Sequence, residues 1–265
     1  MSNLPEEFVF SQSSLQDYAD CARRFELKYL LKQRWPAPEV DDLLEYERRT
    51  AQGQQFHQLV HQHQVGIPPE KLMRQIEDAA VRRWFESYLR GGFKGQPEVT
   101  LSVPLGNHWL LAKFDLLAIE PGGRALIVDW KTVQAGPLPT AAQLLKRWQT
   151  IVYRFVLARA KSIPPEQIEM RYWYAAHDGA TISLPYDSAQ MQADEANLLR
   201  VLREIETRPD FPLTPDERRC RFCVYRSLNN RGVEAGPLAE WDEVDEDIDL
   251  TGFSLDIDQI GEIEF

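Results

Sequence analysis

The sequence predicts an α/β fold in which a mixed central sheet of about four or five strands is flanked by helices. Three observations lead to this prediction. The first third of the chain has helical periodicity, residues 98–133 form three short segments of β-rich character, and residues 141–187 give one helix followed by a pair of strands. Helices before, between and after the strands are typical of a sheet covered by helices.

Helices are predicted first. One runs through FSQSSLQDYADCARRFELKYLL, with its start marked by Ser13 and Ser14, and is broken by WPAPEV. A second covers residues 43–65, and a third covers KLMRQIEDAAVRRWFESYLR up to a Gly pair. Beyond the first strands, AAQLLKRWQTIVYRFVLARAK and residues 188–207 are each predicted as one helix.

Three segments, EVTLSVPL, HWLLAKFDLLAIE and RALIVDWKTV, are separated by Gly-Asn and Pro-Gly-Gly turns and are predicted to form a meander. IEMRYWYAA and ATISLPY add a strand pair. We expect a single domain over residues 1–232 and an acidic tail over residues 233–265. The parts of that domain are a helical part (10–95), a sheet with its helix (96–187) and a C-terminal helix with a cysteine segment (188–232).

Charge is distributed unevenly. The chain has 265 residues and a formal net charge of −11. An acidic balance argues against a nucleic-acid partner, but residues 234–265 hold twelve Asp and Glu and no Lys or Arg. The rest is roughly neutral, so a local basic groove is compatible with the composition.

Targeting signals and cysteines bear on the compartment. No apolar run approaches the roughly 18 to 20 residues that span a bilayer, and the N-terminus does not resemble a signal peptide. We therefore expect a cytoplasmic protein that does not contact the membrane. In a reducing compartment the three cysteines are expected to be thiolate ligands or packing residues rather than disulfides.

Two carboxylates and a lysine fall on neighbouring predicted strands. Asp115 ends HWLLAKFD and Asp129 lies within ALIVDWK. Neighbouring strands are about 4.8 Å apart, so both side chains can reach one divalent ion if they face the same way. Lys131 lies two residues after Asp129 and therefore on the same strand face, where it could hold a water or stabilise charge on a phosphate. Trp130 faces the core.

These residues resemble the PD-(D/E)XK nuclease signature, and further motifs resemble its RecB, AddB and Cas4 subgroup. The motifs span about residues 10–232 in the expected order. A glycine that usually precedes the first carboxylate is replaced here by Ala112 and Lys113. The motifs are FSQSSLQDYADC, Gly53-x-x-x-His57, Asp115, Asp129-Trp130-Lys131, Gln149-x-x-x-Tyr153 and Cys220-x-x-Cys223.

The resemblance implies a restriction-endonuclease-like fold and a metal-dependent active site. Its metal ligands would be His57, Asp115, Asp129 and the carbonyl of Trp130, with Mg²⁺ or Mn²⁺ as the ion. Lys131 would orient water, and Gln149 and Tyr153 would position the water or the scissile phosphate. Taken singly, each of these residues has a simpler structural interpretation. Glu98 resembles an acidic position of the related nucleases, but a solvated glutamate at the start of a strand is the simpler interpretation.

The cysteines resemble part of an iron-sulfur motif. In related nucleases one N-terminal and three C-terminal cysteines hold a [4Fe-4S] cluster. Cys21, Cys220 and Cys223 match three of those positions, but the fourth is Asn229. A labile three-cysteine cluster, a vestigial site and a site completed by another group all stay open.

The resemblance implies hydrolysis of phosphodiester bonds in DNA, with single-stranded or free ends as the expected substrate and exonuclease action in repair, recombination or defence. No GxxxxGK[ST] helicase motif is present, so a helicase or another repair or defence protein is an expected partner. One alternative is a catalytically silent subunit that binds DNA ends. Another is that the acidic tail occupies the groove and inhibits the enzyme.

Overall fold

The computed structural model describes residues 4–5, 8–33, 43–132, 136–220 and 223–232, with side chains of the helix that begins at Leu43 described from residue 48 onward. The strands are β1 (Val9–Ser11), β2 (Gln96–Leu105), β3 (His108–Ile119), β4 (Ala125–Lys131), β5 (Ile168–Tyr174) and β6 (Ala180–Pro185). The helices are α1 (Gln12–Asp20), α2 (Ala22–Phe25) with a π-helical turn (Glu26–Leu30), α3 (Leu43–Gln64), α4 (Pro69–Met73), α5 (Ala79–Gly91), α6 (Ala141–Leu144), α7 (Trp148–Lys161) and α8 (Ser188–Thr207).

The strands form one mixed sheet. β1, β3, β4, β5 and β6 lie side by side in that order, and β2 pairs with β3. β2, β3 and β4 form the predicted antiparallel meander, and β5 and β6 form the predicted pair. β4 and β5 are parallel, which requires a crossover, and α6 and α7 supply it. The predicted fold class is confirmed.

Apolar residues alternate along the strands and fill a core on each face of the sheet. On β4, Ala125 and Ile127 belong to the larger core with α7 and α8. Val128 and Trp130 belong to the smaller core with α3 and α5. Because successive side chains on a strand point to opposite faces, Asp129 and Lys131 lie on the α7 face. The sheet is thus covered on both sides, except where it carries polar residues.

The sheet has six strands rather than the predicted four or five. The additional strand, β1, pairs in parallel with residues 109–111 of β3. Its three residues are too short to show an alternating pattern, so only the tertiary pairing identifies it. Within the described residues no helix is long and apolar enough to cross a bilayer.

Two of the later helices that were predicted as continuous are interrupted. The helix expected over residues 71–90 is divided into α4 and α5, because Asp78 caps a new helix by accepting from Ala80 N and Val81 N. The helix expected over residues 141–161 is divided into α6 and α7, since the amides of Lys146 and Arg147 turn back to carbonyls three residues earlier. Each interruption is followed by a new helix, α5 or α7.

The first helix begins earlier than predicted and breaks at Cys21. Ser11, not Ser13, is its N-cap: the Ser11 hydroxyl accepts from Ser14 N, and the Ser14 hydroxyl accepts from Ser11 N. Cys21 is extended, and the amide of Arg23, two residues later, donates to the carbonyl of Pro212 at 3.2 Å. The helix is therefore interrupted where it contacts the C-terminal part of the chain. The WPAPEV break and the acidic tail lie outside the described residues.

Buried charges hold the N-terminal helix to the C-terminal segment. Arg24 is 6% exposed. Its guanidinium lies 2.8 Å from Asp17 and 2.5 Å from Asp20, and Asp20 also pairs with Arg219. Although burial raises the pKa of Asp17, Arg24 and Lys28 hold it below its usual value, so this carboxylate stays ionised.

Replacing Arg24 with methionine tests this network. Removal of one partner leaves buried carboxylates with less counter-charge, so we expect the free energy of unfolding to fall by about 2–4 kcal/mol in urea denaturation. Arg23 is the matched control, because its side chain is 36% exposed and pairs with Glu26. Arg23→Met should cost less than about 1 kcal/mol. Similar small losses in both variants would contradict a structural role for the network.

Candidate active site

The candidate active site lies at a fork between β3 and β4. Leu116–Ile119 of β3 pair with Ala125–Val128 of β4, and the pairing stops there. β4 then continues beside β5 as far as Lys131. At the fork, the backbone amide of Trp130 donates to Asp115 Oδ2 at 2.9 Å. Beyond the fork, the Trp130 amide of β4 therefore donates its hydrogen bond to a side-chain carboxylate of β3 rather than to a backbone carbonyl.

The alternation of β3 slips by one residue at the fork. Leu110, Ala112 and Phe114 lie in the larger core, whereas Leu116 lies in the smaller one. Asp115 is the residue at which the face changes. This slip explains how its carboxylate reaches the opening between the strands although its neighbours are buried.

Glu98 lies on β2 opposite this slip. The pairs Pro97 with Leu116 and Val99 with Phe114 place Glu98 across from Asp115. Its φ is +55°, a left-handed conformation that is uncommon outside glycine and is often found at functional sites. The Glu98 carboxylate also pairs with Lys113. Glu98 is thus near the start of β2, as expected, but it is half-buried and lies beside Asp115.

Three side chains from three elements converge here. Single ligand atoms of His57, Glu98 and Asp115 all lie within 4.8 Å of one another. His57 Nδ1 is 3.7 Å from Asp115 Oδ1. The pKa of Asp115 is raised to about 6, chiefly by burial and also by the charges of Asp129 and Glu98, while His57 and the Trp130 amide oppose the rise. Carboxylates that are clustered in spite of burial and mutual repulsion are suitable ligands for a divalent cation, which would relieve that repulsion.

Asp129 lies beside this group but outside the set of three. It is 2% exposed, and Gln149 Nε2 donates to its Oδ1 at 2.8 Å. Lys131 Nζ lies 3.0 Å from Oδ2, yet Oδ2 has no aligned hydrogen-bond donor among the described residues. A buried carboxylate oxygen of this kind also fits a metal ligand. The metal role of Asp129 stays a prediction.

Gln149 joins the lysine to the carboxylate. Lys131 Nζ donates to Gln149 Oε1 at 2.9 Å, while the amide nitrogen of Gln149 bonds Asp129. The helical break before Trp148 places Gln149 in the first turn of α7, facing β4. Asp129, Lys131 and Gln149, which belong to two of the sequence motifs, thus form a closed triangle of side chains.

Other predicted residues also lie at or near the fork. Burial, followed by the charges of Asp129 and Asp115, raises the pKa of Tyr153 well above 10, so its phenol is protonated. The indole of Trp130 faces the smaller core, as predicted. At Gly53, a Cβ atom would lie 2.9 Å from Thr132 Oγ1, which confirms that a small residue allows α3 to approach the end of β4.

The three cysteines are buried and form no disulfide, and they lie at the junction of the N-terminal helix and the C-terminal segment. Burial raises the pKa of Cys220 and Cys223, and Cys21 is close enough to raise both further. Asn229 N bonds the carbonyls of Tyr225 and Arg226 within a turn. Three thiols and an amide do not make the four-thiolate set of a [4Fe-4S] cluster, and the ion pairs of Arg24 and Arg219 already hold this junction.

The chain matches one family model and is similar to several solved structures. A family model described as the PD-(D/E)XK nuclease superfamily matches residues 9–110 and 93–228. No curated protein matches the chain. Among solved structures, SSO0001 is 16% identical with a TM-score of 0.42 and covers 85% of this chain and 87% of its own. A protein from Eubacterium rectale, described as a candidate exonuclease, is 16% identical with a TM-score of 0.48 and covers 91% of this chain and 94% of its own.

The family match extends from β1 to the segment after Cys223 and includes every strand of the sheet and the fork between β3 and β4. Members of this family are hydrolytic nucleases that use divalent metal ions. The chain belongs to the PD-(D/E)XK nuclease superfamily.

Proposed function

We propose that this protein is a Mg²⁺- or Mn²⁺-dependent deoxyribonuclease of the RecB and Cas4 type that degrades single-stranded DNA from free ends. The observation that carries the proposal is the convergence of His57, Glu98 and Asp115 beside the triangle formed by Asp129, Lys131 and Gln149. Oxygen and imidazole ligands suit a hard divalent cation, and an ammonium group beside them suits a phosphate. The site therefore offers both a place for the cation and a positive charge for the phosphate.

The side chains divide the reaction between them. One or two ions would be held by His57, Glu98, Asp115, Asp129 and the carbonyl of Trp130. When bound, the metal lowers the pKa of water and neutralises charge on the phosphate. Lys131 orients the attacking water and stabilises the negative charge that develops on the phosphate oxygens. The protonated phenol of Tyr153 positions the attacking water or the scissile phosphate by donating a hydrogen bond.

The preference for single-stranded ends rests on the resemblance of the motifs to RecB and Cas4. The sequence has no GxxxxGK[ST] loop for nucleotide-driven unwinding, so a helicase or another repair or defence protein would supply the strand. The iron-sulfur cluster of these relatives has no part in the proposed reaction.

The nuclease proposal is tested with end-labelled single-stranded DNA and Mn²⁺. Asp129→Asn and Lys131→Met preserve side-chain size but remove the charge, so each should reduce kcat at least about 100-fold. Lys161→Met, at the exposed end of α7, is the control and should cut like the wild type. The position of the label gives the polarity of digestion.

If the wild type and both variants are equally inert while binding DNA ends with equal affinity, the protein is a binding subunit and the nuclease proposal fails. The same assay on duplex DNA and on RNA of identical sequence tests the substrate preference. Faster cutting of either one than of single-stranded DNA would overturn that part of the proposal.

The metal site is tested separately by calorimetric titration with Mn²⁺ in the absence of DNA. Glu98→Gln keeps the size of the side chain but removes a negative charge beside Asp115, so the Kd for Mn²⁺ should rise about tenfold. Glu86→Gln removes the same charge at an exposed position of α5 that is not one of the three clustered side chains, and it should leave the Kd unchanged. Equal affinities for Glu98→Gln and the wild type would exclude Glu98 as a ligand.

A further inference from the structure

Tyr172 is a buried tyrosine of β5 that none of the sequence motifs includes. In the parallel register it is the partner of Asp129, so both side chains point to the α7 face of the sheet. Tyr172 is fully buried at 0% exposure. Its hydroxyl donates to Gln149 Oε1 at 3.3 Å, and the Lys131 ammonium lies 5.5 Å from the centre of its ring.

The bonds around Gln149 determine which way its amide faces. Gln149 Oε1 receives donors from Lys131 and Tyr172, and the amide nitrogen donates to Asp129 Oδ1. A reversed amide would turn its N–H groups toward two donors and its oxygen toward a carboxylate. Because each such contact loses a bond and adds repulsion, the observed orientation is strongly preferred.

Thr150 fixes the direction of the Tyr172 proton. The hydroxyls of Thr150 and Tyr172 lie 2.8 Å apart, and Thr150 is 0% exposed. A phenol carries one proton, so the bond that Tyr172 donates to Gln149 leaves its oxygen to accept from Thr150. The chain of bonds thus runs from Thr150 through Tyr172 to Gln149 and ends on Asp129.

We propose that Tyr172 is a positioning residue whose hydroxyl, oriented by Thr150, holds the Gln149 amide so that Oδ1 of Asp129 is occupied and its Oδ2 is left for the metal and Lys131. This inference rests on the proposed function. Tyr172 acts through Gln149 and does not itself contact the substrate. Its loss should therefore weaken the chemical step and leave substrate binding unchanged.

The test is Tyr172→Phe, alone and combined with Gln149→Ala. The phenylalanine keeps the ring and removes only the hydroxyl. In the wild-type background kcat should fall about 3- to 10-fold at constant KM, as expected for one lost hydrogen bond. In the Gln149→Ala background the same change should alter kcat by less than about twofold, because the group through which Tyr172 acts is gone.

A measurement that does not depend on catalysis accompanies the kinetics. The side-chain amide protons of Gln149, assigned by NMR from their disappearance in Gln149→Ala, should exchange with solvent about 3- to 10-fold faster in Tyr172→Phe. Tyr18→Phe is the matched control. It also removes a buried tyrosine hydroxyl, one that donates to Glu204 at 2.7 Å, and should change neither kcat nor this exchange rate.

Equal losses of kcat in both backgrounds would mean that Tyr172 acts through the fold, and unchanged exchange of the Gln149 amide would likewise overturn the proposal. If the wild type cleaves no substrate, the proposed function fails, whereas the exchange measurement still decides whether Tyr172 positions Gln149.

Discussion

The site depends on the bond from the Trp130 amide to the Asp115 carboxylate at the point where β3 and β4 separate. If the two strands stayed paired, Asp115 and Asp129 would lie in a closed ladder with little room for an ion between them. Their separation opens the sheet at one end, and β5 keeps β4 paired beyond the fork. The position of Asp129 and Lys131 is thus fixed by one neighbouring strand while the other leaves room for chemistry.

Several charged groups at the fork are held in energetically unfavourable conformations or environments. Glu98 is in a left-handed conformation, and the raised pKa of Asp115 reflects burial and two nearby carboxylates. Such features are retained when a function requires them, since packing alone would favour apolar residues. The Lys131, Gln149 and Asp129 triangle provides the opposite property, because hydrogen bonds restrict the orientation of the Gln149 amide, the Lys131 ammonium and Oδ1 of Asp129.

Much of this could be predicted from the sequence, because it depends on local patterns. Period-two alternation and turn residues located β2 to β6, and the placement of Asp129 and Lys131 two residues apart predicted their shared face. The slip at Asp115 could not be predicted, since Leu116 and Leu117 are both apolar and only the structure shows which of them faces the larger core. Glu98 had a usable signal: the Gly106-Asn107 turn sets a hairpin register that places it opposite Asp115. Tyr172 had no such signal, because Asp129, its partner in the sheet, lies on β4, and α6 and α7 separate β4 from β5 in the chain.

We infer that the fork gathers ligands from α3, β2 and β3, next to Asp129 of β4, into one divalent-cation site. A crystal structure with Mn²⁺, located by its anomalous scattering, would test this inference. We expect an ion bound directly by Asp115 together with His57 or Glu98, with oxygen distances of about 2.0–2.6 Å. An ion located elsewhere, or none at a concentration that supports cleavage, would contradict it.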